Sequence, residues 1–332
     1  MRVVFMGTPD FAVPTLEALI DSRHEVAAVY TQPDREQGRG RKLVFSPVKE
    51  CALRHGIPVR QPKGLKKPET VERLKSYNPD VIVVVAYGVI LRPPVLESAP
   101  YGCLNVHASL LPKYRGAAPI QWAVLNGETE SGVTIMQMDE GLDTGDILAA
   151  ERMTLSADET GASLFDKLSV LGGPLLLKVL DDAEAGLLHP VKQGESPTMY
   201  ARMLEKEDGK LDFTKDAATL ERFVRGLNSW PGAYTFRDGK MLKIWKAEVA
   251  GEEYANTLTE GESLTADVST EIGKAAPGTV ISVDKNTFTV ACGSSALRIL
   301  ELQPAGKGRM DTGAYLRGNR MEAGEVLGEE ML

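Results

Sequence analysis

The run Val81-Ile82-Val83-Val84-Val85-Ala86 constrains the fold more tightly than any other stretch of this chain. It is apolar and β-branched almost throughout and offers no polar face to solvent. It therefore reads as a strand buried on both sides, the situation of a central strand in a parallel sheet covered by helices. The surrounding sequence supplies the rest of such a sheet. Val3 to Met6 and Glu25 to Tyr30 read as strands, with a helix through Thr15 to Asp21 between them. Cys103 to His107 is another short strand, Pro119 to Asn126 a helix, Val133 to Met138 a strand, and Ala162 to about Ala185 a long closing helix. This alternation predicts an α/β fold whose N-terminal domain, 1–189, is a Rossmann-like, doubly wound, mostly parallel sheet.

At 332 residues the chain is long for one core, so two domains are expected. Periodicity fades from Pro190 to Glu207, which places a linker at 190–207. Beyond it, a helix from Ala217 to Leu227 precedes strand-like stretches at Ala233 to Phe236, Met241 to Val249, Gly278 to Val283, Thr287 to Ala291 and Leu297 to Leu302. Short strands punctuated by turns predict a smaller C-terminal β-barrel, OB-like, over 208–332. The polar, acidic stretch 251–274 reads as a long exposed insertion in that barrel.

Cysteine usage and charge narrow the function classes. Cys51, Cys103 and Cys292 lie far apart with no C-x-x-C pair and no Cys/His ligand spacing, which argues against a disulfide scaffold or a structural metal site and for a reducing, cytoplasmic setting. The N-terminal MRVVFMGTPDF is broken by Gly7, Thr8 and Pro9 and cannot serve as a signal peptide. No apolar run reaches the roughly 18 residues of a membrane span. A net charge of −8 speaks against a nucleic-acid partner on average. The cations are clustered, however: Arg35, Arg39, Arg41 and Lys42 sit close together, and Arg237, Lys240, Lys243 and Lys246 form a second group. The first group lies in Gln32 to Lys42, a glycine-containing segment that is either a solvated loop or one that orders on a phosphate backbone.

Asn105-Val106-His107, followed by Ala108-Ser109-Leu110-Leu111-Pro112, is the strongest chemical signal. A strand period of two puts Asn105 and His107 on one face, where the strand breaks into a loop. The carboxyl ends of strands are where open parallel sheets bind ligands. Burying a polar pair there is costly unless the pair is used or hydrogen-bonded. Downstream, Met138-Asp139-Glu140-Gly141-Leu142-Asp143-Thr144-Gly145-Asp146 sets four carboxylates after another strand. One of them can orient the imidazole for acid/base work, although Asp and Gly are also ordinary turn residues. Spacing alone does not choose Asp143 over Asp146. Gly7-Thr8-Pro9-Asp10-Phe11 lacks the second glycine of the dinucleotide fingerprint, so nicotinamide-cofactor binding is not supported.

Taken together, GTPDFA at 7–12, QPDREQGRGRK at 32–42, SPVK at 46–49, VVVAYGVIL at 83–91, NVHASLLPKYRGAAPIQWAVLNGE at 105–128, GVTIMQMDEGLDTGDIL at 132–148 and LQPAGK at 302–307 resemble one family, the methionyl-tRNA formyltransferases. The resemblance implies a catalytic trio at Asn105, His107 and Asp143, with 10-formyltetrahydrofolate as the formyl donor and no metal. It implies a folate pocket lined by Ser109, Leu110, Leu111, Pro112, Tyr87, Gly88, Ile90 and Leu91. It further implies initiator methionyl-tRNA as acceptor, met by Arg39, Arg41 and Lys42 in the basic loop and by Lys243 and Lys246 in the barrel; a monomer with no membrane partner is expected besides. A formyltransferase acting on a nucleotide-linked amino sugar or a purine precursor would share the trio. It would differ in the GRGRK loop and the C-terminal β domain.

Overall fold

In the computed structural model, which describes residues 1–37, 42–250 and 275–328, β1 (Arg2–Gly7) is followed by α1 (Val13–Ile20), β2 (Glu25–Tyr30), the hairpin β3 (Arg35–Gln37) and β4 (Lys42–Val44), and α2 (Pro47–Arg54). Then come β5 (Val59–Arg60), α3 (Pro68–Lys75), β6 (Val81–Val85), α4 (Pro93–Leu96), β7 (Cys103–His107), α5 (Pro119–Leu125), β8 (Glu130–Gln137), β9 (Ile147–Thr154) and α6 (Gly161–Glu184). Seven of these strands form one sheet in the order β5-β2-β1-β6-β7-β8-β9. The pairs from β5 through β7 are parallel, whereas β7–β8 and β8–β9 are antiparallel.

β6 lies at the centre with all five residues buried, as its composition predicts. Each such side chain contributes about 1.5–3 kcal/mol relative to exposure. On one face Ile82 and Val84 join Tyr30, Val71 and Leu74 of α3, and Val95 of α4. On the opposite face α6 lies so close that a methyl group at Gly172 would come within 2.7 Å of Val106. Helices therefore cover both sides, giving the doubly wound sheet. Local signals start the helices: Ser46 caps α2 by accepting from the Lys49 backbone N–H at 3.1 Å, and Pro47 and Pro68 sit in the first turns of α2 and α3. β9, which the sequence reading did not anticipate, is a half-exposed edge strand. With little buried on either face it carries no strong alternation, and its pairing with β8 is what makes it a strand. The β3–β4 hairpin likewise stands where a loop was expected.

The chain divides into two units by internal contacts, one made of Met1–Ile120, Thr129–Leu155 and Ser163–Arg202, the other of Gln121–Glu128, Ser156–Ala162 and Met203–Leu332. The second contains α7 (Ala217–Gly226), β10 (Ala233–Arg237), β11 (Lys240–Ala250), β12 (Val280–Val283), β13 (Phe288–Ala291), β14 (Ala296–Pro304), β15 (Met310–Asp311) and α8 (Thr312–Gly318). Its antiparallel sheet runs β10-β11-β14-β13-β12, with β15 on β14. Leu242 and Ile244 of β11, Phe288 of β13 and Leu297 of β14 form a core with Leu220 of α7 and Tyr315 of α8. The acidic insertion 251–274 lies outside the described residues.

Candidate active site

The order of the first sheet reverses between β1 and β6, and the loops at that switch are tied together. Thr8 donates to the Tyr87 carbonyl at 3.2 Å, and the Gln32 amide donates to the same carbonyl at 3.2 Å. Next to this switch β7 ends at His107, so Asn105 and His107 stand at the carboxyl edge of the sheet, where ligands bind in such folds.

His107 is 6% exposed, and its Nε2 lies 3.1 Å from the Tyr114 carbonyl oxygen. A carbonyl only accepts, so Nε2 carries the proton and Nδ1 of the neutral ring is left as a lone pair. Nδ1 faces Asp143 Oδ2 at 3.8 Å, beyond hydrogen-bond length but within reach as an ion pair once the ring is protonated. The tautomer is therefore set by the main chain at Tyr114. Asp143 accepts from the Gly116 N–H at 2.9 Å and from Asn105 Nδ2 at 3.4 Å, its backbone at φ +55°. Asp146 points elsewhere, toward Lys192 at 3.4 Å. Geometry thus separates the two carboxylates that spacing could not.

Two glycines make the approach possible. Gly116 has φ +127°, and a Cβ there would meet the Ala201 carbonyl at 2.5 Å; one at Gly145 would meet the Gln137 carbonyl at 1.6 Å. Ala201, Gln193 and Thr198 belong to a stretch that sequence reads as linker. Thr198 Oγ1 accepts from the Tyr114 N–H at 2.8 Å, and the Ala201 N–H donates to the Arg115 carbonyl at 2.8 Å. Burial, with the Asp143 charge adding to it, pushes the Tyr200 phenol upward. The sequence carries no signal for the backbone partners at Tyr114 and Gly116.

The residues of the expected folate pocket divide into two kinds. Ser109, Leu110 and Leu111 are buried, with Ser109 Oγ donating to the Lys113 carbonyl at 2.7 Å and the Leu111 N–H donating to Thr134 Oγ1 at 3.1 Å. Pro112 follows Leu111 through a cis peptide bond. Tyr87 is buried, its phenol pushed up to about 12 by desolvation, and Leu91 is buried too. Gly88 and Ile90, by contrast, are exposed, Ile90 by 69%. Of the cations, Arg39 and Arg41 lie outside the described residues, and Lys42 opens β4, followed by exposed Leu43, Val44 and Phe45. In the second unit, Lys243 on β11 lies 5.9 Å from the Trp245 ring centroid, Arg309 lies 5.4 Å from it, and Lys246 is exposed. Among the described residues no group of three or more His, Cys, Asp or Glu is arranged to hold a metal ion.

A family model described as formyl transferase matches residues 1–180, and one described as formyl transferase, C-terminal domain, matches residues 203–320. A methionyl-tRNA formyltransferase of Lachnospira eligens is 57% identical over 99% of this chain and 100% of its own length. The chain belongs to the methionyl-tRNA formyltransferases. Solved structures agree on the fold at lower identity. The N-formyltransferase from Helicobacter canadensis, in complex with folinic acid and dTDP-3-aminofucose, is 19% identical with a TM-score of 0.63, covering 90% of this chain and 98% of that one. HypX from Aquifex aeolicus, in complex with tetrahydrofolic acid, is 20% identical with a TM-score of 0.57 over 95% of this chain; the match spans 47% of HypX, about half its length.

Proposed function

We propose that this chain transfers the formyl group of 10-formyltetrahydrofolate to the amino group of initiator methionyl-tRNA, using Asn105, His107 and Asp143, as a cytoplasmic monomer. The observation that carries this reading is the meeting of those three side chains at the carboxyl end of β7. Among the described residues no helix is long and apolar enough to cross a membrane.

The donor supplies the formyl carbon and a nitrogen leaving group. The acceptor amine attacks that carbon, the bond to the donor nitrogen breaks, and one proton passes from the amine to that nitrogen. Negative charge grows on the formyl oxygen during attack; Asn105 Nδ2 donates to it, and His107 Nδ1, charged as it takes up the amine proton, donates beside it before that proton passes to the leaving nitrogen. Preorganised donors of this kind are worth about 3–4 kcal/mol each. Asp143 stabilises the imidazolium across 3.8 Å and helps the proton leave the amine. What supports folate as the donor is family membership, together with exposed backbone at Gly88 and exposed, apolar Ile90 as a surface for a flat ring beside buried Leu91, and buried Leu110 and Leu111 just after β7. The acceptor reading rests on family membership, the GRGRK loop at 38–42, and the cation and indole surface of Lys243, Trp245 and Arg309.

The test is formyl transfer from labelled formyl-tetrahydrofolate to methionyl initiator tRNA, beside methionyl elongator tRNA, a nucleotide-linked amino sugar and no acceptor. Rapid formylation of the initiator species alone supports the reading. Transfer to the sugar, or release of formate without acceptor, overturns its tRNA half.

A further inference from the structure

The Asp143 loop is held from outside by a side chain that the mechanism above does not use. Gln193 Nε2 donates to two carbonyls of that loop at once, Asp143 at 3.0 Å and Gly145 at 2.6 Å. Its Oε1 accepts from Arg115 Nε at 3.0 Å and Nη2 at 2.8 Å, and the same guanidinium reaches the Gly194 carbonyl at 2.9 Å. Arg115 donors on one end and carbonyl acceptors on the other fix which way the amide points. The next residue, Gly116, sends its N–H to Asp143 Oδ2. The contacts close a ring: Arg115 to Gln193, Gln193 to the Asp143 main chain, Asp143 carboxylate to Gly116, and Gly116 back to Arg115 through the chain.

As a non-glycine residue in the left-handed region, at φ +55°, Asp143 persists there where its surroundings over-determine it. Gln193 supplies that determination. We propose that Gln193, oriented by Arg115, is a positioning residue for formyl transfer: it holds the Asp143 backbone so that the carboxylate stays opposite His107 Nδ1. This rests on the role given to Asp143 above. Glutamate at 193 would keep the Arg115 pairing but lose both N–H bonds and set a carboxylate oxygen against the Asp143 and Gly145 carbonyls. It cannot do the work of glutamine.

The experiment compares Gln193→Ala and Gln193→Glu with wild type in steady-state and single-turnover transfer. Ångström-scale misplacement of a reacting group costs up to about 10²-fold, so both variants should lose about 10- to 100-fold in kcat with the KM for donor and acceptor nearly unchanged. In the Asp143→Asn background the added Gln193→Ala change should cost almost nothing, because both act on one group. Hydrogen exchange of a peptide spanning 139–147 should quicken in Gln193→Ala. Full activity in Gln193→Glu would overturn the proposal, since the Arg115 pairing would then suffice. Losses that multiply in the double variant, or exchange at 139–147 that does not change, would overturn it as well. Full activity of Asp143→Asn alone would remove the role of Asp143, and the exchange measurement would still report separately on whether Gln193 holds the loop.

Discussion

Asp143→Asn removes one negative charge and, because the two carboxylate oxygens accept from Gly116 and from Asn105 separately, the long hydrogen bond from Asn105. The asparagine carbonyl replaces the carboxylate as acceptor for the Gly116 N–H, now at 2.9 Å, and asparagine tolerates the φ of +55° better than most residues. The larger loss is attraction across the gap to His107. At the 3.8 Å between Nδ1 and Oδ2, and with an effective dielectric of about 20, that attraction is about 4 kcal/mol for an imidazolium facing a carboxylate. If it is realised only as the ring becomes charged during transfer, its loss appears in kcat as a factor of about 10³. Rapid-quench single turnover with saturating donor and acceptor reads that step, and filter binding reads tRNA affinity, which should stay within about twofold of wild type. A variant that transfers formyl within about fivefold of wild type, with unchanged melting, would refute the pairing of His107 with Asp143.

Other expectations follow from the same contacts. Burial pushes the thiols of Cys103 and Cys292 up to about 12 and raises that of Cys51, so the native protein should give no fast reaction with a thiol reagent at pH 8 and all three cysteines should react on unfolding. Hydrogen bonds from the Thr219 hydroxyl and N–H hold the Asp216 carboxyl below its usual range where it caps α7. A depressed folded-state value means stability present above the unfolded pKa and lost as pH falls through the folded one. Asp216→Ala should thus cost about 1 kcal/mol at neutral pH, with the difference in Tm from wild type shrinking below about pH 4. Replacing Arg41 and Lys42 together with Ala should raise the KM for tRNA and flatten its dependence on salt, with an unchanged slope counting against a phosphate contact.

The sheet was legible because β6 is buried on both faces and says so in five consecutive residues. The second unit was legible through its alternating strands, such as β11, where Leu242 and Ile244 face the core and alternate with Met241, Lys243 and Trp245. β9 was not, because an edge strand half open to solvent has no need of an alternating pattern. Asn105 and His107 stood out because polar residues at a buried strand end need a reason. The groups that orient the trio did not: the Tyr114 carbonyl, which holds His107, and the Gly116 N–H, which holds Asp143, belong to the main chain, which every residue has. Gln193 was hidden differently, in a polar stretch that composition assigns to a linker. Only the contacts that residues 193–201 make with the 114–118 and 143–145 segments show that the stretch reaches the site.

The role of His107 is tested most directly by single-turnover formyl transfer to methionyl initiator tRNA by His107→Ala beside wild type. Loss of the imidazole removes both an oxyanion donor and a proton carrier, so the rate should fall at least about 10³-fold with donor binding retained. Transfer by His107→Ala at a rate near that of wild type would contradict it.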